Sequence, residues 1–240
     1  NRVRRQRQMC IRDSYWGAEG KDETILSAGD IISMPTNMFR GFENAGNKEG
    51  LIFVVLGGDD PGIITWVPSV LEKAKQTGMA LLNDNSLIDL SINDIPKNKS
   101  LLEPISSEEI KKFDNYKLNE LEKYICKFSD RINYENKINE NFNLIQVLGD
   151  TFQDKKFNPV INHNTGFNLS ILKAKKGKLE NLKFSKPTIM FSQKGSWQIK
   201  IDDFLMKLNP RDTISIPINS QVNIEINDDE ESLLNCVTQI

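Results

Sequence analysis

The sequence predicts an all-β protein built from two copies of one β-barrel unit, joined by a helical linker. Three observations predict it. A stretch of the chain recurs 182 positions later. Short β-branched runs are closed by proline or by turn residues. Helical spacing is confined to the segment between the two copies.

The repeat is read by setting "SAGDIISMPTN" (27–37) against "NPRDTISIPIN" (209–219). Asp30, Ile32, Ser33, Pro35 and Asn37 align with Asp212, Ile214, Ser215, Pro217 and Asn219, and the same offset of 182 carries Leu51 onto Leu233 and Val55 onto Val237. Upstream, Ser14-Tyr15-Trp16 is set against Gly195-Ser196-Trp197, which makes Trp16 and Trp197 equivalent wall or core residues.

The elements follow in order. "IISMP" and "TISIP" read as short strands ended by a proline that cannot continue a ladder. "GLIFVVLGG" is an apolar run of strand length, bounded by the turn sequence "DDPG", so Asp59 and Asp60 are expected in a solvated turn. "WVPSVLEKAKQTGM" (66–79) predicts a helix opened by Pro68 and stopped by Gly78, with Trp66 stapling it to a barrel. "SSEEIKKFDNYKLNELEKYICKF" predicts a capping box at Ser106 or Ser107 and helical spacing through Leu118, Leu121, Ile125 and Phe128. "KAKKGKLENLK" is expected to be a solvated hairpin rather than a nucleic-acid patch, since no aromatics interleave its lysines. In "SWQIKIDDFLMKL", Trp197, Ile199 and Ile201 share one face, and Asp202-Asp203 marks a hairpin reversal. Strands this short with turns this close predict a sandwich or barrel.

The first thirteen residues are of another kind. They hold five Arg and no Lys, whereas the remaining 227 hold three Arg (Arg40, Arg131, Arg211) and 23 Lys. The stretch Arg4–Asp13, "RRQRQMCIRD", resembles the in-frame translation of a transposase adapter used in sequencing libraries. Residues 1–13 are therefore expected to be non-native, and the genuine chain to begin near Ser14, inside a domain. Their local charge is +4 and the rest of the chain carries −6, a sign that excludes polyanion binding. No run approaches the roughly 18 apolar residues of a membrane span. Cys126 and Cys236, far apart in sequence, are expected as buried thiols in a reducing, cytoplasmic setting, and His163 as a surface histidine in a polar loop.

These residues carry a family resemblance. Gly29, five residues to Pro35, then Asn37, Arg40 and Asn44 is similar to the second conserved motif of the cupins. Asn37 stands where the motif has its turn glycine, which asparagine tolerates. Arg40 stands where the motif has histidine. The resemblance covers 14–62 and, more loosely, 167–240. It implies a bicupin, with two jelly-roll barrels of the double-stranded β-helix type, the first one truncated. The implied layout is 14–80 for the C-terminal half of barrel 1 and the following helix, 81–140 for the linker, and 141–240 for a degenerate barrel 2.

Cupins typically hold a divalent metal with imidazoles and a carboxylate. The resemblance places the corresponding second-copy positions on Asn181, Lys183, Thr188 and Val222, a set that cannot coordinate metal. The chain has one histidine, His163, outside both motifs. No cofactor and no metal ligand is therefore expected in this stretch, while a divalent metal in the parent protein stays open. Arg40 is a permanent cation that would repel a metal and suits a carboxylate or phosphate. The candidate substrate-binding residues are Arg40, Asn37, Phe39, Phe42 and Asn44; no catalytic residue is assigned. Three functions stay open: a barrel that binds a small anionic molecule, a dioxygenase-like metal enzyme whose ligands lie upstream, and a structural barrel that supports a homodimer.

Overall fold

The cleanest alternation in the chain marks the centre of its best-built sheet. Trp197, Ile199 and Ile201 are buried while Gln198 and Lys200 are exposed, because a strand sends alternate side chains to opposite faces. The structure is a computed structural model describing residues 14–16, 22–44, 46–47, 49–57, 64–163 and 165–240. The expected turn at Asp59-Asp60 lies outside the described residues.

The first unit contributes β1 (Ser14–Trp16), β2 (Asp22–Thr24), β3 (Ile31–Ile32) and β4 (Arg40–Phe42). The connecting region holds α1 (Pro68–Gln76), β5 (Met79–Leu81), β6 (Leu87–Asp89), α2 (Ser107–Ile110), α3 (Leu118–Leu121) and β7 (Ile125–Cys126). The second unit runs through β8 (Glu135–Lys137), β9 (Phe142–Leu148), β10 (Thr151–Phe152), β11 (Lys155–Lys156), β12 (Phe167–Lys183), β13 (Thr188–Lys194), β14 (Trp197–Ile201), β15 (Phe204–Leu208), β16 (Thr213–Ile216) and β17 (Gln221–Gln239).

Two long strands explain the second unit. β12 and β17 pair antiparallel along their whole length, with register breaks between Ala174 and Lys176 and between Leu179 and Leu182. At those breaks both strands bend and change sheet. Their outer halves form one sheet in the order β16-β13-β17-β12-β9-β8; their inner halves form the other, β15-β14-β17-β12. Two sheets sharing two bent strands make a jelly-roll barrel. "KAKKGKLENLK" is accordingly not a hairpin but the continuation of β12. Lys175, Lys176, Lys178 and Lys183 are exposed, while Lys173 is half-buried and paired with Glu135 and Glu231.

The barrel is filled. Phe142, Leu144, Leu172, Met190, Trp197, Ile199, Val222, Ile224, Ile226, Leu234 and Cys236 are at most 1% exposed and form one interior cluster. A second layer covers the outside of the six-stranded sheet. There Ile145, Val147, Ile161, Ile171, Leu233 and Val237 pack against Ile31, Val55 and Tyr124 from the first unit and the connection.

The repeat is visible in the backbone. Asp30 Oδ2 accepts from Ser27 N at 2.9 Å, and Asp212 Oδ2 accepts from Asn209 N at 2.8 Å, so the same turn is closed the same way 182 positions apart. Asn37 and Asn219 both sit in the left-handed region, with φ of 58° and 63°. The order β2-β1-β4 copies β15-β14-β17. One alignment is corrected. Trp16 pairs with Arg40, and Ile201 pairs with Val222, so Trp16 occupies the position of Ile201 and not that of Trp197. A longer β1–β2 connection than the two-residue β14–β15 turn accounts for the slip.

Two further expectations change. α1 forms as predicted, with proline at its start and Gly78 at φ 83° after its end, but Trp66 is 37% exposed. The one or two helices expected in 81–140 form as α2 and α3, each a single turn, with a capping box between Ser106 and Glu109. Contacts with the first unit separate them: Asp114 N donates to Asn37 O at 2.8 Å, and Leu121 is fully buried beside Met38. Helices this short have little stability of their own, so tertiary contacts decide. "GLIFVVLGG" forms no strand pairing over 51–57. No described helix is long and apolar enough to cross a membrane.

Candidate functional site

The interior of the second barrel is the first place to look, and its residues close it. Asn181 and Lys183 are exposed on the outer face, whereas their neighbours Leu182 and Phe184 point inward. The expected ligand positions are therefore one residue out of register, and a slip of one exchanges the faces of a strand. Asn181 sits at a register break with φ 59°, its N–H donating to Asn223 Oδ1 at 2.8 Å and its Oδ1 accepting from Gln221 Nε2 at 2.7 Å. Thr188 does face inward, but its hydroxyl is bonded to Thr238 at 3.0 Å. Val222 is fully buried in the core. Leu182, Phe184, Thr188 and Val222 offer no imidazole or carboxylate, so the residues present do not fit the metal that cupins hold.

Two polar side chains of this barrel are buried and paired with one another, while Gln153 Nε2 has no hydrogen-bond partner among the described residues. Ser170 Oγ donates to Gln146 Oε1 at 2.7 Å, and Gln146 Nε2 donates to Leu148 O at 2.8 Å. Burial pushes the Cys236 thiol up to about 12, which makes it a poor nucleophile. A hollow of about 430 Å³ on the outside is lined by Glu140, Asn141, Lys175, Lys176, Asp228 and Asp229, a mixed set that favours neither sign of ligand.

The first unit is different. At the offset of 182, Arg40, Phe42 and Asn44 correspond to Val222, Ile224 and Ile226, all facing the interior of the second barrel. They therefore occupy alternate positions on what is the inner face of the repeat unit. Arg40 and Phe42 are exposed, with Phe42 at 42%, and Arg40 Nη1 donates to Met38 O at 3.4 Å. Asn44 Oδ1 accepts from Gly46 N at 3.1 Å.

Asn37 and Phe39 are placed elsewhere. Asn37 Nδ2 donates to Asp114 Oδ2 at 3.3 Å, and the Phe39 ring lies 4.3 Å from that of Phe113. The structure thus brings Arg40, Phe42 and Asn44 to one face and packs Asn37 and Phe39 on the connecting segment.

A third cluster ties the first unit to the connecting region, and the sequence did not announce it. Asp30 accepts from Phe128 N at 2.7 Å and pairs with Lys127 Nζ at 3.2 Å. Arg131, 3% exposed, donates from Nη2 to Gly29 O and lies 5.1 Å above the Phe128 ring. Its Nε and Nη1 have no hydrogen-bond partner among the described residues. Conflict between an Arg and an apolar surrounding would have been a signal, had the burial of 131 been readable from spacing. Cys126 is also buried here, and desolvation raises its thiol pKa.

His163 belongs to the same junction and is not a surface histidine. Its Nδ1 and Ser33 Oγ share a hydrogen bond of 2.7 Å, and its ring meets Tyr124 edge-on at 5.0 Å. Desolvation lowers its pKa from the ordinary value of 6.5. The folded protein therefore prefers the neutral ring, and protonation favours unfolding. This contribution is complete above the ordinary value and is lost as pH falls through the depressed one. The melting midpoint is expected to drop between about pH 7.5 and about pH 5.5, and to drop less in His163→Gln. Equal slopes in calorimetric scans of the two proteins would rule out this origin.

No known family's sequence profile matches the chain, and no curated protein matches it in sequence. Among solved structures it is similar to a cupin superfamily protein from Desulfitobacterium hafniense, at 13% identity, over 44% of this chain and 83% of that one, with a TM-score of 0.33. It is similar to an RmlC-like cupin from Shewanella frigidimarina, at 8% identity, over 44% and 81%, with a TM-score of 0.35. It is similar also to a Cupin 2 conserved barrel domain protein from Salinispora arenicola, at 14% identity, over 43% and 80%, with a TM-score of 0.36.

Proposed function

We propose that the chain is part of a two-barrel cupin whose first unit binds a small organic anion through Arg40, while the second barrel serves as scaffold. The observation that carries this reading is the ladder position of Arg40. It stands on the inner face of its unit, where the second copy has Val222 inside a packed core. A guanidinium presents two parallel N–H donors to a carboxylate or phosphate, and Phe42 beside it supplies an apolar wall. Asn44 adds a polar group two residues further along the same face, and Asn37 and Phe39 hold the turn that presents them. The filled interior of the second barrel supports the scaffold role. Two buried free thiols, Cys126 and Cys236, suit a reducing compartment such as the cytoplasm.

The test is calorimetric titration with a panel of small mono- and dicarboxylates and phosphate esters. At least one is expected to bind, and Arg40→Met is expected to weaken it about 10- to 100-fold, the loss of a charge-assisted pair. The variant's unfolding midpoint should stay unchanged, since Arg40 is exposed. Equal binding by Arg40→Met, or no binding across the panel, would overturn the reading.

A further inference from the structure

The repeat gives residues 51–57 an address. At the offset of 182 they correspond to Leu233–Gln239, the second half of β17. That half-strand is central in its sheet, with β12 on one side and β13 on the other. Its side chains alternate: Leu234 and Cys236 face the barrel interior, while Leu233 and Val237 face the outer layer.

Phe53 and Val55 follow the same alternation by their contacts, while Leu51 and Phe53 remain 40% and 42% exposed. Val55 joins Val237 in the outer layer, and Phe53 stacks on Phe191 with ring centroids 4.1 Å apart. Ile52, Val54 and Leu56 face the other way. They correspond to Leu234, Cys236 and Thr238, and they are 42%, 63% and 64% exposed. Among the described residues, 51–57 pairs with no strand on either edge.

We infer that 51–57 is an acceptor for a polypeptide β-strand that pairs antiparallel with it and covers Ile52, Val54 and Leu56 with alternate apolar side chains. Two observations select this occupant. Among the described residues the segment lies outside every ladder and presents its backbone donors and acceptors together with an apolar row, and an added strand engages the first while burying the second. The second copy also shows the pairing in full. There Leu172 lies opposite Leu234, Ser170 opposite Cys236 and Asn168 opposite Thr238. The donor is therefore a segment built like the first half of β12. This inference rests on the repeat and stands apart from the anion reading of Arg40.

The probe is a labelled peptide of residues 167–175, "FNLSILKAK", the strand that acts as donor within the second copy. Fluorescence anisotropy with the full chain should show saturable binding, and amide exchange at 51–57 should slow when the peptide is present. Val54→Lys, at an exposed position, should weaken binding at least about tenfold and leave the melting midpoint unchanged. Equal binding of a scrambled peptide, or equal binding by Val54→Lys, would overturn the inference. A Val54-dependent dimer in sedimentation experiments without peptide would also overturn it, by showing that a second copy covers this face.

Discussion

Trp197→Ala is expected to destabilise the second barrel by about 3–5 kcal/mol. The indole is fully buried, 6.4 Å from Phe142, and flanked on its own strand by the buried Ile199. Its neighbours sit on both sheets, whose shared long strands leave little freedom to collapse into the space vacated. The cost should therefore lie in the upper part of the range for large-to-small changes. Trp197 Nε1 also donates to Lys194 O at 3.1 Å, next to the turn into β14. Trp197→Phe keeps most of the volume and loses that hydrogen bond, so it should cost distinctly less, about 1–2 kcal/mol. Urea unfolding followed by far-ultraviolet circular dichroism measures both. A loss below about 1 kcal/mol for the alanine variant would mean that the barrel interior is not the close-packed core described above. Since a domain of this size is stable by only about 5–15 kcal/mol, the alanine variant should also be visibly richer in unfolded chain at ambient temperature.

Much of the second barrel was legible because its strands obey local rules. Alternation around Trp197, Ile199 and Ile201 and the Asp202-Asp203 reversal each follow from a few adjacent residues, and Asp202 takes φ 50° at that turn. The repeat carried more, because Asp30 and Asp212 close equivalent turns whatever surrounds them. What failed was long-range. A β12 of 17 residues looks from its lysines like a hairpin, and its bend depends on the pairing with β17. The spacing over 106–128 marks helix, but the break between α2 and α3 falls where Asp114 is tied to Asn37, 77 residues away, and no local pattern shows that.

The candidate site was legible in part for the same reason. The motif located Arg40 and Asn44, with Phe42 midway between them; β4 spans Arg40–Phe42, and the offset of 182 carries all three onto the inward-facing Val222, Ile224 and Ile226. The candidate set also took in Asn37 and Phe39, which precede the strand and obey no such periodicity. Their packing on Phe113 and Asp114 is tertiary. His163 and Arg131 were invisible as junction residues because their partners Ser33 and Gly29 lie more than a hundred positions upstream.

Gly195→Ala is the second substitution expected to have a large effect, about 2–5 kcal/mol, and it acts through the backbone rather than through lost volume. Gly195 has φ +84°, in the left-handed region where a Cβ is strained. A Cβ there would also stand 1.9 Å from Ser232 Oγ and 2.4 Å from Ser232 Cβ. Rotating the serine could clear its oxygen but not its Cβ, so β17 or the β13–β14 turn must move. Ser232 is fully buried and pairs with Ala174, just where β17 changes sheet. The turn itself is pinned by Ser192 Oγ donating to Gly195 O at 2.7 Å. The two terms separate experimentally. Ser232→Gly combined with Gly195→Ala removes the collision and leaves the left-handed strain, so the double variant should recover part of the loss, down to about 1–2 kcal/mol. Additive losses in urea unfolding of the single and double variants would show that the two residues do not touch, and would displace the turn that joins the sheets.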